Sequence, residues 1–428
     1  MILLESPHFR YHYLFIRESR NLQGILEFKN RILLRMEEII MKLPDNIGPM
    51  AFGVKMGVVV PGTDLVKMIL EAIKKIYAAE LLADGDVICV TESVLARAQN
   101  NYVTVGDVAE EISQKLGTNK KSKVGVVFPI ISRNRFSMIL QGIAAAVPEG
   151  EVLVQLSYPH DEVGNQVLDP DVAENLAQTN NCFMYEDLNP QHCLHPITKV
   201  NYPAMYKEII EKQGAKATIF LCNDPQMMVK FSPDGIVVAD IHNRKKTCQK
   251  LKQVFTNCLT LKDFCNQGES WSEWGLLGSN MSAHDKIKLA PRESDSFARE
   301  LQLTIHEATG RKVEVLVYGD GAYKDPSSGI YELADPMPVF GMTEGFDGRY
   351  REGIKYKYVA DIYYAEGKSV EEIEAQLLNQ KQYSHTHDHL MTEGTTPRRI
   401  EDVIASLADL VSGSADAGTP VVVVKGIL

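Results

Sequence analysis

The sequence predicts an α/β protein with some α+β character, and three observations carry that prediction. Apolar residues alternate at Val313, Val315 and Val317, the period of a strand, and the run empties into Gly319-Asp320-Gly321, a turn that leaves a carboxylate at the strand's carboxyl end. Ile400, Ile404, Leu407 and Val411 recur at helical spacing as far as Gly413, with Thr396 as N-cap and Pro397 at the first helical position. Between about Lys123 and Asn257, strand-like runs alternate with helical ones.

In chain order, His8 to Leu43 reads as one amphipathic helix, with Ile25, Phe28, Ile32, Leu33 and Met36 on one side. A strand at Gly57 to Val60, a Pro61-Gly62 turn, Thr63 as cap and a helix carrying Leu65, Ile69 and Ile73 form one strand-turn-helix unit. A second strand, Val87 to Val90, ends at Thr91-Glu92-Ser93. In the middle stretch, strands are expected at Val124 to Phe128, Val152 to Leu156, Ala217 to Cys222 and Ile236 to Ala239. Helices are expected near Arg135 to Ala146, Tyr202 to Lys212 and Lys245 to Phe255. Three of these strands end in polar clusters, Ser132 to Arg135, Asn223 to Pro225 and Asp240 to Arg244, where an open α/β sheet can take an acceptor substrate; singly, each also suits turns and caps. Trp271 and Trp274 read as packing, and Val421 to Val424, apolar at every position, reads as a strand buried on both faces.

Of the 428 residues, 45% are hydrophobic and 24% charged, which excludes a disordered or fibrous chain. A net charge of −11 argues against a general nucleic-acid binder. No apolar run is long enough to span a bilayer, and Met1 to Arg10 lacks the pattern of a secretory signal. Seven cysteines without C-x-x-C spacing argue against a zinc ribbon or a disulfide framework and fit a reducing cytoplasm.

The carboxylates concentrate after the 313–317 run. Asp320, Asp325, Glu332 and Asp335 follow one another closely enough to hold a divalent metal if the loop folds back, with Lys324 and Glu332 as catalytic neighbours of Asp320. Arg398 and Arg399 would sit beside free backbone N–H groups at the start of the last helix, a plausible anion site. His385-Thr386-His387-Asp388-His389 places alternate imidazoles on one side of an extended chain, so His387 is a metal candidate; a solvated loop is the bland alternative.

The order Gly278-Ser279-Asn280, Lys288 to Asp295 (KLAPRESD), a strand followed by Asp, then a helix leading to Pro420 to Gly426 resembles the γ-glutamyl ligase family that adds glutamate to the deazaflavin coenzyme F-420. Val58 to Leu65 and Asp84 to Ala98 resemble that family's amino-terminal segments, so the motifs cover about Met50 to Lys115 and Glu273 to Leu428. The resemblance implies a ligase core built from both chain ends (50–122 and 261–428), an inserted α/β domain (123–260) and an amino-terminal extension (1–49). It also implies a homodimer, Mg or Mn, GTP or ATP as cosubstrate, L-glutamate, and a deazaflavin-like or folate-like carboxylate acceptor activated as an acyl phosphate. On this chain the family's metal Asp falls on Asp320 and its nucleotide-contacting Asn on Asn280, beside Ser279. Its phosphate region falls near Glu92, Ser93 and Arg97, and the arginine of its L-x-P-R segment on Arg292.

The chain departs from the pattern in places. Leu277 stands where the family carries a metal-ligand Asp, Gln99-Asn100 replaces a Glu-Gly pair, and Ala322 to Pro326 replaces an R-P-W-R loop. Two other functions therefore stay open. One is a diverged nucleotide- or metal-binding protein without turnover, favoured by Leu277. The other is a deazaflavin- or flavin-linked oxidoreductase, weakened by the absence of G-x-G-x-x-G.

Overall fold

The computed structural model describes residues 47–178, 181–283, 285–320, 335–351, 355–382, 398–412 and 418–428. The expected 8–43 helix, Lys324, Asp325, Glu332, the 385–389 histidine run, Thr396 and Pro397 lie outside them. Among the described residues the chain is α/β, with two principal sheets.

The first sheet has five strands in the order Met50–Val54, Val421–Lys425, Val87–Thr91, Glu314–Tyr318, Val339–Met342. The Val87–Thr91 and Glu314–Tyr318 strands are parallel, with Tyr318 opposite Thr91, so both carboxyl ends emerge side by side. Strand alternation sorts the side chains: Ile88, Val90, Val315, Val317, Val421 and Val423 join one apolar cluster, and Val87, Cys89, Leu316, Val422 and Val424 join another on the opposite face. Helices Leu65–Ala78 and Ser294–Thr309 cover the first face and helix Ile400–Ser412 the second. The valines of the 421–424 run are fully buried, as a strand covered on both faces requires, and each is worth roughly 1.5–3 kcal/mol of transfer free energy.

The strand expected at Gly57 to Val60 does not form. Val58 and Val60 are 82% and 50% exposed, and the edge beside Val421–Lys425 is occupied by Met50–Val54 in antiparallel register. Thr63 does not cap the following helix either: its hydroxyl closes a turn on Val60, and Asp64 takes the N-cap role by accepting from Lys67 N at 3.0 Å.

The second sheet has six strands in the order Cys182–Met184, Lys216–Cys222, Glu151–Leu156, Lys123–Val127, Gly235–Val238, Cys258–Thr260. All but the antiparallel Cys182–Met184 edge strand run parallel. The chain starts at Lys123–Val127, lays three strands on one side of it, Glu151–Leu156, Cys182–Met184 and Lys216–Cys222, and returns to Gly235–Val238 on the other side of its starting strand. Strand order therefore reverses between Lys123–Val127 and Gly235–Val238, the doubly wound arrangement whose ligands enter at the carboxyl ends of the strands. Helices Val105–Leu116, Ser137–Ala146 and Tyr202–Lys212 pack on one face, in a cluster that also takes in Leu261, Leu276, Leu277 and Ile287. Helix Arg244–Lys252 packs on the other. A small sheet, Asn280–Met281, Lys286–Lys288 and Tyr102–Thr104, lies between the two in sequence and brings Lys288 beside the first sheet.

Asp240 follows the Gly235–Val238 strand and is 2% exposed. Burial pushes its carboxyl up to about 7, with Glu162 adding to the effect and Thr247 and Arg244 opposing it. A folded-state value above the unfolded one means that the associated stability is present below about pH 4 and is lost as pH rises through 7. Asp240→Asn keeps an acceptor for Thr247 Oγ1 and has nothing to ionise. Its melting temperature is expected to match the parent's at pH 4, to pull ahead between pH 4 and 7, and to lead by several degrees at pH 8, for a gain of up to about 4 kcal/mol. A constant difference across that range in calorimetry contradicts the assignment.

Candidate active site

The two adjoining carboxyl ends in the first sheet each release an acid. Glu92 opens helix Glu92–Ala98 directly after the Val87–Thr91 strand, and Asp320 follows Tyr318 by two residues. Gly319 makes the second arrangement possible: a Cβ there would fall 2.4 Å from Asp335 Oδ2 and 2.5 Å from the Phe340 ring. Asp335 Oδ2 in turn accepts the Asp320 N–H at 2.9 Å, which fixes the two carboxylates together.

A cation from the other sheet completes the group. Arg135, in the loop after the Lys123–Val127 strand, donates to Asp335 Oδ1 at 2.7 Å and to Asp320 Oδ2. Its loop is fixed from within the second sheet's own unit. Ser132 Oγ accepts from Asn134 N and Arg135 N, the buried Tyr206 hydroxyl donates to Ile130 O and accepts from Ser132 N, and Asp161 accepts from Ile131 N. Lys288 Nζ donates to both oxygens of Glu92, at 2.9 and 2.7 Å, and both side chains are almost fully buried.

The electrostatics of this cluster are dominated by burial. Desolvation raises the Glu92 carboxyl above the usual range although Lys288 lies against it; the cost of burying the charge exceeds what the ion pair returns. Asp320 is pushed up to about 7 by burial and then by Asp335, with Arg135 opposing and Asp409, on helix Ile400–Ser412, adding a smaller push. Burial works against the charge on Arg135, but Asp335 and Asp320 hold the guanidinium firmly protonated. Among the described residues four carboxyl groups, Glu92, Asp320, Asp335 and Asp409, thus stand near two cations, Arg135 and Lys288, so carboxyl groups are in excess.

That excess, on oxygen donors alone, fits a hard divalent cation such as Mg, which is commonly held by one or two carboxylates plus water and substrate phosphates. Among the described residues no set of three or more His, Cys, Asp or Glu is poised to hold a metal by itself. Asp320 and Asp335 are the two that would hold it, with phosphates completing the shell.

The expected site residues distribute unevenly. Glu92, Asp320 and Asp335 come together, and Ser93 is half-buried in the helical turn after Glu92, with Arg97 exposed further along that helix. Asn280 lies opposite Lys288 in the small sheet. Ser279 is buried, and its hydroxyl donates to Leu276 O. Arg292 is a strut: its guanidinium donates to Asn101 Oδ1 and Gln99 O, while Asn101 also ties down Trp271 and Ala290. Arg398 and Arg399 do not enter the first turn of the last helix. They form a short strand with Tyr350–Arg351, Arg399 pairs with Glu401, and the first turn carries Glu401 and Asp402, as the helix dipole prefers.

Leu277 is 1% exposed and belongs to the apolar cluster around the second sheet. With Arg135, Gly278 and Ser279 it lines a gap of about 20 Å3, room for about one water. Arg135 and Lys288 are the members of this cluster that the sequence did not assign. Their signals were present, in the polar cluster Ser132 to Arg135 and in the KLAPRESD segment.

The description "F420-0:Gamma-glutamyl ligase" belongs to the family model that matches this chain, over residues 53–426. The match runs through the middle stretch that the motifs leave outside the resemblance. No curated protein matches the chain.

Replacing Arg135 by Gln leaves the buried Asp335 and the partly exposed Asp320 without this counter-charge, so denaturant unfolding at pH 8 is expected to show a loss of about 3 kcal/mol or more. A loss under about 1 kcal/mol contradicts the bridging role. Leu277→Asp buries a charge among apolar side chains and is likewise expected to lose several kcal/mol, or to give no folded protein in a thermal melt.

Proposed function

Because the chain belongs to the F420-0:γ-glutamyl ligase family, whose members are ligases of coenzyme F-420 synthesis, we propose that it joins L-glutamate to an acceptor carboxylate with GTP or ATP as the driving cosubstrate. The observation that carries the reading is the cluster of Glu92, Asp320 and Asp335 with Arg135 and Lys288, set where two parallel strands end. In this account a phosphoryl group passes from the nucleotide to the acceptor carboxylate, and the amine of glutamate displaces phosphate to form the amide.

Asp320 and Asp335 would hold Mg or Mn, which when bound neutralises phosphate charge and polarises the transferred group. Arg135 lies between these carboxylates and is the protein's own cation for the charge that builds up in transfer. Glu92, whose carboxylate is made more basic by burial, would take the proton released from the attacking ammonium while ionised, with Lys288 orienting it. Ser93, Arg97 and Asn280 border this group and are assigned to the nucleotide. Arg398 and Arg399 become candidates for the acceptor or for phosphate as a strand pair. A deazaflavin-like or folate-like acceptor, a homodimer and action in the cytoplasm complete the proposal.

Burial of Leu277 in the apolar cluster favours a second reading, a nucleotide-binding relative without turnover. The deazaflavin- or flavin-linked oxidoreductase gains no support from a dinucleotide fingerprint in the doubly wound sheet, since its first strand runs into Phe128-Pro129-Ile130 with no glycine to admit a pyrophosphate.

The parent protein is expected to incorporate labelled glutamate into a deazaflavin or folate acceptor in the presence of Mg or Mn and GTP or ATP. Asp320→Asn is expected to lose that activity and bind Mn at least tenfold more weakly while keeping its fold. Mn affinity unchanged in Asp320→Asn sinks the metal assignment. Nucleotide binding with no incorporation into either acceptor favours the second reading.

A further inference from the structure

A cavity of about 400 Å3 opens at the carboxyl edge of the second sheet, where strand order reverses between Lys123–Val127 and Gly235–Val238. Its lining includes Phe128, Glu162, Asp240, Asn243, Lys246 and Lys250, and none of these belongs to the Arg135 cluster. The size suits a small metabolite.

Asp240 supplies the polar group that the fold leaves unused. Its Oδ2 accepts from Thr247 Oγ1 at 2.6 Å, whereas its buried Oδ1 has no hydrogen-bond partner. A buried carboxylate oxygen without a donor is costly, and such groups are rare unless water, a ligand or an ion meets them. Neighbouring Asp161 differs: both of its oxygens accept, from Ile131, Val163 and Asn165, so its role is structural.

The start of helix Arg244–Lys252 is already filled by the chain's own anion. The Glu162 carboxylate accepts the backbone N–H groups of Ile241, His242 and Asn243. An incoming anion must therefore be met further along that helix, where Lys246 and Lys250 stand one turn apart. No carboxylate pairs with Lys246 among the described residues, and the Lys250–Asp224 pair, with both side chains about half exposed, is weak enough to exchange.

We propose that this cavity binds a small ligand that presents a hydroxyl or ammonium donor to Asp240 and a carboxylate or phosphate to Lys246 and Lys250. The ligand chemistry is that of an amino acid or of a ribose phosphate. The site stands independently of the function assigned to the Arg135 cluster. It is not a pyrophosphate site, because the anion-binding start of its helix is occupied by Glu162.

Isothermal titration of the full chain with L-glutamate and, separately, with GMP tests the proposal. Saturable binding of either probe is expected, at least tenfold weaker in Asp240→Asn and several-fold weaker in Lys246→Gln, and unchanged in Asp320→Asn; which probe binds identifies the ligand class. Lys246 is exposed, so its replacement leaves the fold intact and reads the site even if Asp240→Asn perturbs its surroundings. Absence of saturable binding with both probes overturns the proposal. So does binding that survives in Asp240→Asn and Lys246→Gln, or that is lost only in Asp320→Asn.

Discussion

Arg135 reaches from a loop of the second sheet to Asp320 and Asp335 of the first, and the arrangement of the site depends on that one bridge. A guanidinium is suited to it, because its planar fork can address two carboxylates at once and it cannot shed its charge to escape burial. The loop that carries it is held by Tyr206, Ser132 and Asp161, all within the second unit, so the cation arrives in one orientation. The carboxylates are equally constrained, since Asp335 accepts the Asp320 amide and Gly319 leaves the space that brings them together.

The cluster is poorly balanced as a structural device. Burial raises Glu92 and Asp320 against their own cations, so the fold is working against these charges. A protein under selection for stability alone would replace them with apolar side chains of similar size. Retaining them where two parallel strands end, with carboxyl groups outnumbering cations among the described residues, is consistent with the proposed binding of a cation and a phosphate there. Lys425 and Asp86 offer a contrast: that buried pair also satisfies Leu81 O and Ala83 N, and it fastens the carboxy-terminal strand without any access for a ligand.

Much of the fold was legible because its elements are periodic. The valine run at 421–424, the helix with Leu65, Ile69 and Ile73, and the four strands of the middle stretch all carry patterns that packing enforces. The Gly57 to Val60 strand failed because apolar character names a candidate, while pairing decides, and Met50–Val54 had the partner. Arg398 and Arg399 failed for a related reason: a cap and a proline mark where a helix can begin, but two arginines at a positive helix end are unfavourable, and the chain starts the helix after them with Glu401 and Asp402. In the site, Asp320 and Glu92 could be read from strand ends. Arg135 and Lys288 could not be assigned, because their partners lie 185 to 200 residues away in the chain and only the tertiary fold brings them together.

The most direct test of the Arg135 bridge is a double-mutant cycle on unfolding free energy with Arg135→Gln and Asp335→Asn, measured at pH 8 in denaturant. Arg135→Gln strands both Asp335 and Asp320, Asp335→Asn leaves Arg135 with Asp320 alone, and the double change removes both members of the buried Arg135–Asp335 pair. The bridge predicts that the double variant is more stable than the sum of the single losses implies, with a coupling of about 2 kcal/mol or more. Losses that add to within about 0.5 kcal/mol would mean that Arg135 and Asp335 do not hold each other, and the site would have to be organised in some other way.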